Sequence, residues 1–389
     1  MPKLLRLSAQ LVSIFMLLIS STGTAKAAPP PPQSKWTVMV YISGDNDLES
    51  YVIGDIETEL AHTGSTDDVQ VIALADRGPG YDTRYDDWQT TKLFHVTQGM
   101  KADAASALDD WGEMNMADPQ TLIDFVDWTR DNYPADHYAL YFWGHGWNWH
   151  PGFVMRDDTD NDTMDYEEKK SAIPSLGFID VVGYDGCNMA SIEIFNLWHG
   201  HATAVTSSQE FVFSEGIQYD LVLADLTDTP TMTADQLAVA TTQSASKDKT
   251  WSAVAVDERF DALITAVDEW SLALNDALNA HRRKYDRAFG ATRSFWQEPT
   301  DKDLYDMAYE IQRLVNDQTI DEKSQDVMDA IHGVVLAERH VNGYRDVHGI
   351  TIYHVSKARE MEDYSYYHDT VDFAQETGWD EFLDAYATR

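Results

Sequence analysis

The sequence predicts an α/β fold: a mainly parallel sheet with helices on both faces, followed by a helix-rich C-terminal region that adds a strand. Three observations predict it. Short apolar runs dense in β-branched and aromatic residues recur between Trp36 and Thr206. Stretches with helical spacing separate them, an alternation that favours parallel strands buried on both faces. From Thr233 onward the texture is helical until one late run of strand formers.

The elements follow in chain order. Trp36–Ser43 reads as a buried first strand, and Gly44-Asp45-Asn46-Asp47 turns the chain into a helix over 48–62. Val69–Asp76 is a second buried strand, and a Gly-, Asp- and Tyr-rich loop covers 77–90. Thr91–Val96 alternates and reads as an edge strand. Asp118-Pro119 caps a helix whose apolar positions are Leu122, Phe125, Val126 and Trp128. His137–Trp143 is a strand, 166–173 a helix, Ile179 onward a strand, 190–198 a helix and His201–Thr206 a strand. Helices are expected over 234–246, 259–285, 303–315 and 324–339, with a last strand at His348–His354.

The first residues read as an export signal over 1–27. Lys3 and Arg6 precede a mostly apolar Leu11–Ile19, and Ala25-Lys26-Ala27 offers a small-x-small cleavage site. The apolar stretch is well short of the ~20 residues that span a bilayer, so no membrane anchor is expected. A proline-rich linker covers 28–34, a core domain 35–250 and a helical region 251–389 packed on that core. The net charge of −38 disfavours nucleic acid and anionic membranes as partners. It suits a solvated acidic surface, and it also attracts basic substrates. No glycine-rich phosphate loop is present, and a monomer is expected.

The chain has one cysteine, Cys187, which excludes an internal disulfide. It follows the strand Ile179-Asp180-Val181-Val182-Gly183-Tyr184-Asp185, in a turn that leads toward a helix. A helix N-terminus there would favour its thiolate. His145, in Gly144-His145-Gly146, follows the earlier strand. In open α/β sheets, active groups gather beyond the strands' carboxyl ends. A cysteine and a histidine so placed suggest a nucleophile and its proton-transfer partner. The alternative is a buried structural cysteine and an ordinary loop histidine.

These residues resemble those of the clostripain family of cysteine peptidases, which share the caspase-like fold. The resemblance rests on the strand leading to Gly144-His145-Gly146-Trp147 and on Asp185-Gly186-Cys187-Asn188-Met189 with Glu193 beyond it. Ser207-Ser208-Gln209-Glu210 through Gly216 and Tyr219, Asp303-Leu304-Tyr305 and Gly349-Ile350-Thr351-Ile352-Tyr353 extend it. Two departures stand out: Gly186 where alanine is usual, and Asn148 where a small residue is more common. The resemblance implies that Cys187 attacks a peptide carbonyl and that His145 handles the proton. The backbone N–H groups of Gly146 and Cys187 would then hold the oxyanion. Asp185 would lie at the base of a pocket for Arg or Lys; its alternative is a turn-capping role. Glu215 and Glu210 are candidates for a second acid, with an exposed loop carboxylate as the alternative for each.

The implied chemistry requires no cofactor. Acids alternate in Arg156-Asp157-Asp158-Thr159-Asp160-Asn161-Asp162, but Thr163 and Lys169 break the EF-hand template. A looser Ca2+ site, which the resemblance implies because clostripain-like enzymes often need that ion, and a solvated acidic loop both stay open, with no metal ligand assigned. Family members often cut themselves in this stretch, which makes Arg156, Lys169 and Lys170 candidate self-cleavage positions. A zinc reading of His145, His150, Cys187, His199 and His201 lacks the usual ligand spacings. The main non-enzymatic alternative is an inactive acidic binding or adhesion protein on a peptidase scaffold.

Overall fold

At the centre lies a nine-stranded sheet, seen in a computed structural model. The described residues run from 33 to 388, excepting 152–153, 214, 247–249, 297 and 356–363. The export signal and positions 28–32 of the linker lie outside them. In chain order the strands are β1 (Ser34–Gly44), β2 (Val69–Arg77), β3 (Thr91–His95), β4 (Asp109–Gly112), β5 (Ala135–Trp143), β6 (Ile179–Asp185), β7 (Ala202–Ser207), β8 (Thr250–Ala255), β9 (Asp301–Asp303), β10 (Val335–His340) and β11 (Thr351–Tyr353). The sheet order is β10-β8-β7-β6-β5-β1-β2-β3-β4, and β9 pairs with β11 separately.

The five strands β2-β1-β5-β6-β7 are parallel, as the sequence predicts. Both faces of this block are buried, which explains its unbroken apolar runs. In β1, Met39 and Tyr41 enter one core while Val38, Val40 and Ile42 enter the other. In β5, Leu140 and Phe142 face the first core, and Ala139, Tyr141 and Trp143 the second. From β1 the chain passes to β2 on one side and later to β5 on the other. That reversal opens a crevice at the strands' carboxyl ends. The ends are level there: Ile42 is opposite Trp143, and Trp143 is opposite Asp185.

Several elements differ from the sequence reading. β3 is not an edge strand, because β4 pairs outside it; Asp109-Asp110-Trp111-Gly112 carries no strand signature. β8 and β10 extend the sheet antiparallel beyond β7. The helix expected over 324–339 runs from Gln318 to Val334, and its continuation is β10. The late strand is shorter, Thr351–Tyr353, and pairs with β9 rather than with the main sheet. The C-terminal region therefore does add strands, though not that one. Pro32–Arg389 forms one compact unit, with β8 and β10 continuing the sheet across the boundary expected at 250. The helices Asp261–Ala291, Leu304–Val315, Gln318–Val334 and Trp379–Thr388 thicken the first core through Val267, Trp270, Ile311, Val327 and Phe382.

Beside the crevice, Glu49 and Arg77 form an ion pair at 2.5 Å, both side chains fully buried. Glu49 also accepts the Asp82 N–H at 2.6 Å, and the guanidinium lies 4.5 Å from the Trp88 ring centre. Removing one partner strands a buried charge. Glu49→Ala should therefore cost about 3–5 kcal/mol, read as a lower urea midpoint with little change in slope. A loss under 1 kcal/mol would contradict that view of the pair.

Candidate active site

Four loops leaving the carboxyl ends of β1, β5, β6 and β7 build one cavity of about 320 Å³. His145 and Cys187 both line it, together with Asp55, Trp143, Asp185 and Gly216. The loops after β5 and β6 are pressed together where both carry glycine. A Cβ on Gly146 would lie 2.6 Å from the Cys187 carbonyl oxygen and 3.0 Å from its nitrogen. A Cβ on Gly186 would lie 2.9 Å from the Gly144 carbonyl oxygen. Alanine at 186 would thus need a small backbone adjustment, so this departure from the family pattern accompanies a close contact. Neither the Gly146 nor the Cys187 N–H donates to a partner among the described residues.

His145 is oriented by a residue that the sequence reading missed. Its Nε2 lies 2.8 Å from Asp47 Oδ1, in the turn after β1. Burial raises the Asp47 pKa, but the hydrogen bond and charge of His145, with Arg156 nearby, outweigh it and leave a net lowering. The Asp47 side chain is 57% exposed, so the contact orients more than it stabilises. Asp47→Ala should lower kcat/KM only about two- to fivefold, since exposed pairs contribute up to ~1 kcal/mol. A loss beyond a hundredfold would give Asp47 a larger part in the chemistry.

Cys187 is half-buried, and its Sγ meets the backbone of Val212, accepting its N–H at 3.5 Å and facing its carbonyl at 3.7 Å. The helix expected to begin near it starts only at Ile192. No helix N-terminus therefore acts on the sulfur. Burial instead pushes the thiol up to about 11, with the Val212 contact opposing and Asp185 and Glu210 adding to the rise. The turn beyond it is pinned by Asn188 Nδ2 donating to Gln209 O at 3.1 Å. Thr351 N donates to Ala190 O at 2.9 Å. β11 thus supports the cysteine turn rather than the main sheet.

Asp185 is buried, and its carboxylate accepts the Ile217 N–H at 3.1 Å. Burial, with repulsion from Glu59 adding to it, raises it to about 7 despite that bond. Two other acids couple to Asp185, Asp55 in the cavity lining and Glu59 behind it. Asp55 accepts the Trp143 indole N–H at 2.7 Å and is raised to about 7 by burial and by Asp185. Glu59 accepts the Tyr219 N–H at 3.1 Å and is raised to about 8, first by burial and then by Asp55. Both stand on a π-helical turn, Asp55–Leu60, that interrupts the helix after β1. Their signal in the sequence was two acids four apart on that helix. Among the described residues no lysine or arginine lines the cavity, and Leu48, Tyr51, Phe211 and Phe213 give it apolar walls.

The remaining candidates are distributed as follows. Glu215 is exposed at the cavity rim. Glu210 is buried and structural, accepting the N–H groups of Phe211 and Trp296 and the Tyr344 hydroxyl. Asn148 is also buried, donating to Asp301 at 3.2 Å and accepting from Ser191 at 2.5 Å; it braces the loop without lining the cavity. The Arg156 carbonyl accepts from Ser43 and Asn46, and its guanidinium lies 2.6 Å from Asp158. Lys169 is buried within the helix Tyr166–Ala172, donates to Met164 O at 3.0 Å and is lowered to about 7 by burial. Lys170 sits on the same helix and pairs with Asp372.

The sequence profile of the Clostripain family matches residues 40–386. Over 218 residues the chain is 26% identical to clostripain of Hathewaya histolytica, a match covering 48% of this chain. It spans 41% of that relative, so less than half of clostripain's length is represented. A secreted C11 cysteine protease from Bacteroides thetaiotaomicron, solved with an irreversible peptide inhibitor, is similar in fold. Its TM-score is 0.67 at 16% identity, covering 90% of this chain and 100% of that one. An inactive zymogen C11 protease from Parabacteroides distasonis gives 0.65 at 18% identity, covering 89% and 99%. The fold is thus the caspase-like one, and the chain belongs to the clostripain family of cysteine peptidases.

Proposed function

We propose that this chain is an exported, monomeric cysteine endopeptidase that cuts peptide bonds after Arg or Lys with a Cys187–His145 dyad. One observation carries the reading. The sulfur and the imidazole line the same cavity, whose floor holds the buried Asp185 with Asp55 beside it and whose lining, among the described residues, holds no lysine or arginine. The apolar walls suit the methylene stem of Arg or Lys, and Asp185 would take its charged head in a charge-assisted hydrogen bond. The positive start, apolar stretch and Ala25-Lys26-Ala27 of the first residues support export. Among the described residues, no helix is long and apolar enough to cross a membrane.

The chemistry follows from the site. A thiol raised to about 11 leaves little thiolate at neutral pH, so proton transfer to His145 must accompany attack. Asp47 holds Nε2, which assigns the exchange to Nδ1. Sγ bonds to the carbonyl carbon while the oxyanion turns toward the N–H groups of Gly146 and Cys187. Each such donor is worth roughly 3 kcal/mol in other acyl-transfer enzymes. The C–N bond then breaks, the amine leaving with the proton from His145. Water attacks the thioester, gives its proton to His145 and frees the acid product as the thiol re-forms.

Self-cutting would start at Arg156, in irregular chain; a cut at Lys169 or Lys170 requires unwinding their helix. A positional peptide library presented to the protein from residue 28 tests the reading, with cleavage expected only after Arg or Lys. Cleavage after neutral residues with equal efficiency would defeat the specificity. Peptide binding without cleavage would favour the inactive scaffold.

A further inference from the structure

One tryptophan stands in solvent. Trp36, Trp149, Trp198, Trp251, Trp270 and Trp379 are fully buried, whereas Trp296 is 75% exposed, the most of any large apolar side chain among the described residues. A single exposed apolar side chain means little by itself. The place of this one in the fold gives it meaning.

The segment carrying Trp296 is fastened to both loops that hold the catalytic pair. The Trp296 backbone N–H donates to Glu210 Oε2 at 3.1 Å. Glu210 belongs to the loop after β7, and its carbonyl accepts the N–H of Asn188, the residue after Cys187, at 3.3 Å. Its carboxylate also accepts the Phe211 N–H at 2.9 Å, and Phe211 and Val212 line the catalytic cavity. Beyond Trp296, Glu298 accepts the Trp147 indole N–H at 3.0 Å, and Trp147 directly follows Gly146. Phe295 is buried and Asp301 accepts from Asn148, so the chain is anchored on either side of the exposed ring. Trp147, Glu210, Trp296 and Glu298 all stand outside the lining of the acid-floored cavity.

We propose that Trp296 determines specificity on the leaving-group side of the scissile bond, receiving an apolar side chain from the first or second substrate residue after it. The inference rests on the peptidase reading above. In that reading the Arg or Lys side chain fills the cavity and the oxyanion turns toward the N–H groups of Gly146 and Cys187. The departing part of the peptide then leaves over the rim formed by the two loops that carry them. The segment from Trp296 to Asp301 joins those loops outside the cavity, beyond the sulfur through Glu210 and beyond the oxyanion donor through Trp147. An indole ring recognises an aliphatic or aromatic side chain through apolar burial and ring packing. Anchoring of its backbone lowers the ordering cost of that contact. The nearby carboxylates are already engaged: Glu210 holds the Tyr344 hydroxyl and two N–H groups, and Glu298 holds Trp147 and Thr300. The ring, rather than a charge, is therefore the recognising feature.

The test presents two kinds of arginyl substrate to the protein from residue 28. One is an acyl-arginine methyl ester, whose leaving group carries no side chain. The other is a set of internally quenched peptides, alike up to the arginine and carrying Leu, Phe, Gly or Asp at the two positions after it. The parent protein should cleave the Leu and Phe peptides with the highest kcat/KM. Trp296→Ala should lower kcat/KM about tenfold for those peptides, and less than about twofold for the ester and the Gly peptide. Trp296→Phe should recover most of the loss, as a ring contact requires and a folding defect does not. A loss equal for ester and peptides, or no loss for any peptide, would overturn the proposal and leave the peptidase reading standing. Failure of the parent protein to hydrolyse either kind of substrate would overturn the peptidase reading, and this proposal with it.

Discussion

Cys187→Ala should abolish peptide cleavage while leaving the fold and peptide binding intact. The expected loss in kcat is on the order of 10⁵–10⁶, the scale on which removing an enzymatic nucleophile acts. Among the described residues Sγ hydrogen-bonds to the backbone of Val212, so its removal leaves no buried charge and opens a void of a single atom beside the cavity. The melting temperature should therefore change by no more than a few degrees. The variant should also stay a single band on a gel after storage, whereas wild type should shorten if it cuts itself near Arg156. Residual cleavage within tenfold of wild type would assign the chemistry to another group.

Asp185→Asn should cost about 10²–10³ in kcat/KM for substrates with Arg or Lys before the scissile bond, and far less for neutral ones. The magnitude is that of a charge-assisted hydrogen bond in a desolvated pocket, about 3–4 kcal/mol. The pH dependence gives a second handle. Burial, followed by repulsion from Glu59, raises Asp185 to about 7; burial and Asp185 raise Asp55 to about 7. Below that pH the carboxyls are protonated and must release a proton before pairing with a cation. The affinity for basic substrates should thus rise between about pH 5.5 and 8 and then level off as the acids ionise. Substrates with a neutral residue at that position should lack this rise in 1/KM, and Asp185→Asn should flatten it. A fall in affinity over that range would contradict a cation-binding floor.

The central sheet was legible because its physics is local. Strands buried on both faces must be apolar throughout, so β1, β2, β5, β6 and β7 stand out as short continuous runs. The Gly-His-Gly and Asp-Gly-Cys turns were legible because only small residues permit the close approach seen between them. The outer strands were not. Val335-Leu336-Ala337-Glu338-Arg339-His340 is made largely of helix formers and follows a helix directly, so only pairing with β8 makes it extended. β4 is four residues with two aspartates and owes its conformation to β3.

The site was legible in its chemistry but not in its support. Asp47 and His145 are 98 positions apart, and nothing in the Asp-rich turn after β1 marks the partner of an imidazole. Asp55 and Glu59 read as surface acids of an amphipathic helix. Only the π-helical turn and the cover from Ile217 and Tyr219 half-bury them beside Asp185. The expected helix N-terminus at Cys187 failed because the intervening turn is spent on anchoring. Asn188 and Ala190 bond to the loop after β7 and to Thr351 before the helix begins. A thiol pushed up by burial, rather than one lowered by a helix, leaves its activation to His145, which lines the same cavity.

The most direct measurement is alkylation by an arginyl chloromethyl ketone, read by mass spectrometry of the digested protein. Covalent capture demands a reactive sulfur, its imidazole and an acid-lined hollow acting at once. A single adduct on Cys187 is predicted, forming far more slowly with a neutral analogue and slowed in Asp185→Asn. No adduct, an adduct on another residue, or equal rates for the charged and neutral reagents would contradict the account.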